Sequence, residues 1–428
     1  MLVAGVFLIL VGAPMLSEGM FLDGVVYASI SRNMAEGIGS FWSPHYTQSI
    51  GSVFQSHPPL SFGMEALLFR LLGDHLYVEK LYSLLMLLLS GLLIALIWKR
   101  TTNNLRWAWL PLLFWLSIPL VSWSAVNNML ENTMAVFVLL SVYLMILSYQ
   151  RFNKVWLFLS ALPLLLAFLT KGFTGLFPIV FPILYCAFST HYRWIQGPID
   201  TFLLLFTIAV LAGGMFLVFP DSYPYLKTYF QVQVLEGSLH EPTVAFRFYI
   251  VLRLLQELIV PLLLVAVVFF VRRGTKDHVK VFEFPYDKPM VMVFLLLGLS
   301  GVLPIMVSVK QSGFYMVSAF PFFALGLSFL VLSTTNRLLL KTKPVVRVWM
   351  TVFSCCVVLT GLVLSVTSIG SYSRDAALIE EVKHHLAEMN GEEVIEISPE
   401  MYSQWDRHAY YMRYGKVSLL PVSPISNY

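Results

Sequence analysis

Cysteine and charge are both scarce in this chain. Three cysteines stand in 428 residues, Cys186, Cys355 and Cys356. All three lie in apolar runs with no partner at metal-ligand spacing, which excludes a disulfide framework and leaves them as expected buried core thiols. Charged residues are 12% of the chain and the formal net charge is +4. That balance is an orientation signal and not a nucleic-acid footprint, so no nucleic-acid partner is expected. Internal repeats and low-complexity segments are absent. The opening run MLVAGVFLILVGAPML lacks a basic start and a small-residue cleavage site, so it is expected to be an uncleaved first span. No dense Asp/His/Cys constellation demands a metal. No cofactor is therefore expected, and the need for a divalent cation is left open.

What the chain has is apolar length. Hydrophobic residues are 58% of it, more than a soluble domain can hide. Runs near the roughly 20 residues needed to cross a bilayer recur. They fall at about 1–17, 81–98, 107–125, 132–149, 155–170, 173–188, 201–219, 248–271, 290–309, 314–333 and 345–368. The pattern predicts an all-α polytopic membrane protein of about 11 helices. The short halves of 155–188 would form a helical hairpin turning at TKGFTG.

Lysine and arginine orient it. With the N-terminus inside, the inner loops hold Lys99, Arg100, Arg106, Arg151, Lys154, Arg193, Arg272, Arg273, Lys276, Lys280, Lys288, Arg337, Lys341, Lys343 and Arg347. The short outer loops hold only Lys171 and Lys310. The positive-inside rule then puts the first loop and the tail on the outer face.

The first loop, 18–80, reads as two amphipathic helices lying along the membrane surface. One presents Val26, Ile30 and Met34 on one face and stops at Gly37; the other starts at a proline and presents Leu60, Met64, Leu67 and Leu71. The tail, 371–428, changes phase. SRDAALIEEVKHHLAEMNG reads as helix, EVIEIS as strand, YSQWDRHAYYMRYG as helix and KVSLLPV as a second strand. The expected division is a membrane domain at 1–370 and a small outer α/β appendage at 371–428.

Charged groups within or beside apolar spans are costly and mark function by default. Asp23, Glu131, Lys171, Arg253 and Lys310 all fall at outer span ends, and His57 joins them from the first loop. Each has a plainer reading. Asp23 and Glu131 would cap helices. Lys171 and Lys310 would snorkel to the interface. Arg253 would pair with Glu257 four residues on, and His57 would pack in a loop. His384 and His385 read as solvated. Two carboxylates and several cations facing outward suit a reaction at the membrane surface on a phosphate-bearing lipid. A transporter or lipid flippase with a charged path is the alternative, and a non-catalytic subunit with a decayed site is a third; transporters tend to show internal repeats.

The stretches FLDGVVYASISRNM, HPPLSFGMEALLFRLLGD, KLYS, NNMLENTMAVF, LTKGFTGLFP and KQSGFYMVSAFPFFALGLS, in that order, resemble the GT-C membrane glycosyltransferases. The resemblance is to the branch with protein O-mannosyltransferases and the bacterial lipid A aminoarabinose transferase, and it spans most of the membrane part. It implies a GT-C fold in a bacterial inner membrane and an inverting transferase of the cell envelope working on the extracytoplasmic face. The donor would be a polyprenyl-phosphate sugar, the acceptor a hydroxyl or phosphate on a lipid, glycan or protein. Asp23 matches the family's catalytic base, Glu131 falls where a second acidic residue stands, and Lys171 matches a lysine near the lipid phosphate. His57 replaces the lysine of the aminoarabinose branch, which counts against that sugar. Lys310, Arg253 and His57 would join Lys171 at the phosphate.

Overall fold

The computed structural model describes residues 1–236, 242–273, 287–389 and 391–422; Lys276 and Lys280 of the orientation argument lie outside them. The chain is a multi-pass helical membrane protein. Among the described residues, seven helices are long and apolar enough to cross a membrane, or up to nine if each of two bent pairs is one span. Leu2–Met15 is a shorter apolar helix. Val155–Phe188, long enough to pass as one span, reverses direction at Gly172.

That reversal has a local cause. Gly172 sits at φ +71°, a conformation that costs a side chain dearly. A Cβ on Gly175 would lie 2.7 Å from the backbone of Ala167, so the arm after the turn packs flat against the arm before it. Lys171 is thereby left at the apex. At the opposite end of the bundle, Asp200 accepts from Tyr149 Oη at 2.9 Å and pairs with Lys154, while Gln150 donates to the carbonyl of Arg100 at 2.7 Å.

The two bent spans break where proline dictates. Leu105–Leu116 and Pro119–Val126 meet at 80°. Pro119 has no N–H, and Ile118 before it is extended. The break frees the amide of Leu120, which Glu257 Oε2 accepts at 3.0 Å. Glu257 ends the helix Tyr249–Glu257, which itself bends by 49° into Ile259–Arg273. The two breaks therefore lie side by side, and one buried carboxylate satisfies backbone that lipid could not.

The first loop departs from the surface-helix expectation in one of its two helices. Leu60–Leu72 buries Ser61, Phe62, Glu65, Ala66 and Phe69 and turns Leu67 and Leu71 away from the protein, as a helix lying on a membrane would. Leu22–Ala35 is instead buried on nearly every side. Tyr27, Ile30 and Met34 pack toward Phe62 and Met412, while Val25 and Ala28 join Ile379, Tyr410 and Leu419 of the tail. An apolar stripe read from sequence does not distinguish lipid from a second layer of protein.

In the tail, helices Ala376–Glu388 and Trp405–Gly415 flank a parallel pair of strands, Val394–Ile397 and Ser418–Pro421. The cysteine expectation fails in part. Cys186 is buried, but Cys355 is half-buried and Cys356 exposed. They ride on Pro344–Thr367, most of which faces away from the protein, because lipid rather than protein surrounds an outer span.

Candidate active site

Asp23 occupies the second position of the helix Leu22–Ala35, whose N-cap is Phe21 and whose head carries no side-chain cap. The capping reading of Asp23 is thus not what the structure shows. Asn127 does that work: its Oδ1 accepts from the Phe21 amide at 2.6 Å, and its Nδ2 donates to the carbonyl of Trp123 at 2.8 Å. Gly24 makes the approach feasible, since a Cβ there would lie 2.0 Å from the Asn127 carbonyl oxygen. Next along, Asn128 takes a left-handed conformation (φ +50°) and donates to Glu65 Oε1 at 2.8 Å, while Ser31 donates to Glu65 Oε2 at 2.6 Å. Burial pushes Glu65 up to about 8. The head of the Asp23 helix is therefore fixed from the turn that begins the next span.

Glu131 stands two residues inside Leu130–Gln150 and makes no cap either. It is buried and accepts from Lys171 Nζ at the hairpin apex. Its second oxygen, Oε2, is buried with no hydrogen-bond partner among the described residues. Lys171 is buried as well, so it does not snorkel; its ammonium lies 5.1 Å from the ring of Phe314 and 4.8 Å from that of Tyr315.

Asp23 faces this pair. Burial raises its carboxyl above the usual range, opposed by the charge of Lys171, a hydrogen bond from Tyr27 and the charge of Lys310. Burial, with Asp23 and Glu131 nearby, holds Tyr27 well above its ordinary value, so its hydroxyl stays protonated as the donor to Asp23. His57 sits edge-on to Tyr27, ring centroids 5.8 Å apart. Burial and the cations Lys171 and Lys310 lower it well below its ordinary value. A neutral imidazole can donate one N–H to an anion but adds no charge. Lys310 lies in a loop secured by Gln311, which donates to the carbonyls of Arg247 and Ser308, each at 2.9 Å.

Arg253 is set apart. It pairs with Glu257 at 2.7 Å, the plainer reading of this residue. Both line a cavity of about 750 Å³, whose wall includes Phe21, Trp123 and Phe314, packed ring against ring. Of the six candidates, then, five converge on one space and Arg253 borders the adjoining cavity.

Sequence reasoning did not nominate Tyr27, Tyr315, Asn127 or Asn128. Tyr27 carried a usable signal, being four residues from Asp23 on one helix face. Tyr315 carried none, because its place under Lys171 depends on two distant spans. Among the described residues, no group of three or more His, Cys, Asp or Glu could hold a metal ion.

Residues 56–215, under half of the chain, match the model of the dolichyl-phosphate-mannose-protein mannosyltransferase family. No curated relative matches. Two solved structures align over nearly the whole chain. ArnT from Cupriavidus metallidurans bound to undecaprenyl phosphate is 14% identical with a TM-score of 0.66, covering 99% of this chain and 86% of that one. The apo state of the same protein is 15% identical, TM-score 0.65, covering 98% and 84%. The archaeal oligosaccharyltransferase AglB from Archaeoglobus fulgidus, in complex with an inhibitory peptide and a dolichol-phosphate, is 11% identical with a TM-score of 0.50, covering 95% of this chain and 61% of that one. At these identities the likeness is one of fold.

Proposed function

We propose, from the GT-C fold that this chain has in common with ArnT and AglB, that it is an integral membrane glycosyltransferase using a polyprenyl-phosphate-linked sugar. One observation carries the reading: a half-buried carboxylate, Asp23, faces the buried Lys171–Glu131 pair and Lys310, an arrangement suited to a lipid phosphate. The structures of ArnT and AglB hold undecaprenyl phosphate and a dolichol-phosphate, which supports a donor of that chemistry here.

In the proposed step the acceptor hydroxyl gives its proton to Asp23 as its oxygen bonds to the anomeric carbon. The bond from that carbon to the phosphate oxygen breaks, and the polyprenyl phosphate leaves with the electron pair and one added negative charge. The anomeric configuration inverts. Because that charge develops in the transition state, a cation aimed at it favours the transition state over the ground state, by about 2–4 kcal/mol per contact. Lys171 and Lys310 fill that role, with His57 as a neutral donor. Glu131 holds Lys171 in place through their ion pair. Arg253 takes a share of the lipid phosphate only if the donor enters through the adjoining cavity.

A transporter is the weaker reading. The sequence has no internal repeat, and the two helix breaks found among the described residues lie together beside Phe21 at the Asp23 end. We place the site on the extracytoplasmic face of a bacterial inner membrane and the acceptor among envelope lipids, glycans or proteins. A reporter fused after Tyr428 should accordingly be active only outside the cytoplasm; the reverse result inverts the topology.

Purified chain should carry a polyprenyl phosphate detectable by mass spectrometry. Offered undecaprenyl-phosphate mannose, glucose and aminoarabinose with host membranes as acceptor, it should release undecaprenyl phosphate from one of them. Movement of these lipids across vesicle membranes with no release would assign it to the flippases instead.

A further inference from the structure

Between the helix Leu2–Met15 and the Asp23 helix runs a linker of six residues, Leu16–Phe21, tied at Glu18, Gly19 and Met20 to the tail. The Glu18 amide donates to the carbonyl of Ser371 at 2.7 Å, and the Ser373 amide donates back to the carbonyl of Glu18 at 2.8 Å. The Glu18 carboxylate accepts from Lys383 Nζ at 2.6 Å and Tyr414 Oη at 3.1 Å. Gly19, at φ +87°, has room for no Cβ, which would lie 2.6 Å from the carbonyl oxygen of Arg374. The Met20 amide donates to the buried Tyr410 hydroxyl at 3.4 Å, and that hydroxyl donates to Asp375 Oδ2 at 2.9 Å. Further up the helix, Arg32 Nη2 donates to the carbonyl of Met412 at 2.8 Å.

Arg413 fixes the tail in turn. Its guanidinium forks onto Glu79, both contacts at 3.0 Å, and reaches Asp74 at 2.7 Å. The tail is thus locked to the head of the second span and holds the linker that leads to Asp23. Asn127 holds the same helix head from the membrane side, so the head is clamped between two bodies. A linker this short transmits a shift at Met20 directly to Asp23, three residues on.

We propose that the C-terminal segment sets the register of the Asp23 helix, with Tyr410 as a positioning residue for the transfer reaction. The proposal rests on the reading of Asp23 as the base. Tyr410 touches no substrate; it acts through the backbone of Met20.

Tyr410→Phe retains the buried ring and removes the hydroxyl. In membrane-embedded full-length chain, with whichever undecaprenyl-phosphate sugar the wild type turns over, kcat should fall roughly tenfold. That lies between the loss of one hydrogen bond and the larger cost of a displaced reacting group. The KM for that donor should stay unchanged, because Lys171 and Lys310 are not disturbed. The decisive readout is the double variant. In an Asp23→Asn background, Tyr410→Phe should lower the residual rate no further, since the group it positions is gone. Should Tyr410→Phe insert poorly, Glu18→Gln enters the same cycle. Equal losses in both backgrounds, or an unchanged kcat, overturn the positioning role while leaving the base reading intact. An Asp23→Asn enzyme as fast as wild type overturns both.

Discussion

Asp23→Asn should fold, bind undecaprenyl phosphate and lose transfer activity by about 100-fold or more, the usual scale for removing a general base. Asparagine is isosteric, and Oδ1 remains to accept from Tyr27. Since Asp23 makes no side-chain cap, the head of its helix loses no capping hydrogen bond. The pH profile sharpens the test. Burial raises Asp23, and the base must be ionised, so wild-type activity should fall as pH drops through a value above the ordinary carboxylate range. That acid limb should vanish from the residual activity of Asp23→Asn. The sign for stability is opposite to that of a salt-bridged carboxylate. A raised folded-state value means the folded chain binds the proton more tightly, so ionisation weakens the fold as pH rises through the window. Asparagine removes that loss, and the thermal midpoint at neutral pH should not drop. If both proteins turn over alike, the base lies elsewhere and Glu131 is the next residue to test.

Lys171→Met should be the most disruptive single change near the site. It leaves the Glu131 carboxylate buried with no counter-ion, a loss of about 3–5 kcal/mol when one partner of a buried pair is removed. The variant should insert poorly and its unfolding midpoint in detergent should fall sharply. Combining it with Glu131→Gln removes the stranded charge, so the double variant should recover stability. It should not recover activity, because the cation facing the leaving phosphate is still missing. Lys171→Arg keeps the charge in a different shape and should recover part of both. A stable, active Lys171→Met chain would show that the pair neither supports the fold nor serves the reaction.

Much of this was legible in advance. Long apolar runs announced the spans, and the glycines of TKGFTG announced the turn that leaves Lys171 at an apex. Charge placed at span ends nominated Asp23, Glu131 and Lys171, because such groups are expensive there whatever the fold, and the structure sets the three close together. What escaped were properties set by distant neighbours. Whether an Asp near a helix start is a cap depends on a shift of two positions, and an asparagine from another span had taken the task. The stripe of Val26, Ile30 and Met34 could not reveal that the opposite face is covered too, since its cover comes from the tail. Cys356 is apolar in context but faces outward, because an outer span presents the same composition on both sides.

The hold on the linker also has a consequence in time. Met20 and Tyr410 are 390 positions apart. At about 5–20 residues per second of synthesis, the helix bearing Asp23 exists for roughly 20–80 s before Tyr410 is made. During that interval the spans can enter the bilayer in order, but Glu18 has neither Ser371 nor Lys383 to bind. A chain interrupted before the tail would therefore be inserted and inert, with its carboxylate on an unanchored helix. If the tail sets the register of the Asp23 helix as proposed, the site would be armed only on completion of the tail, and a half-made chain would not consume a lipid-linked sugar.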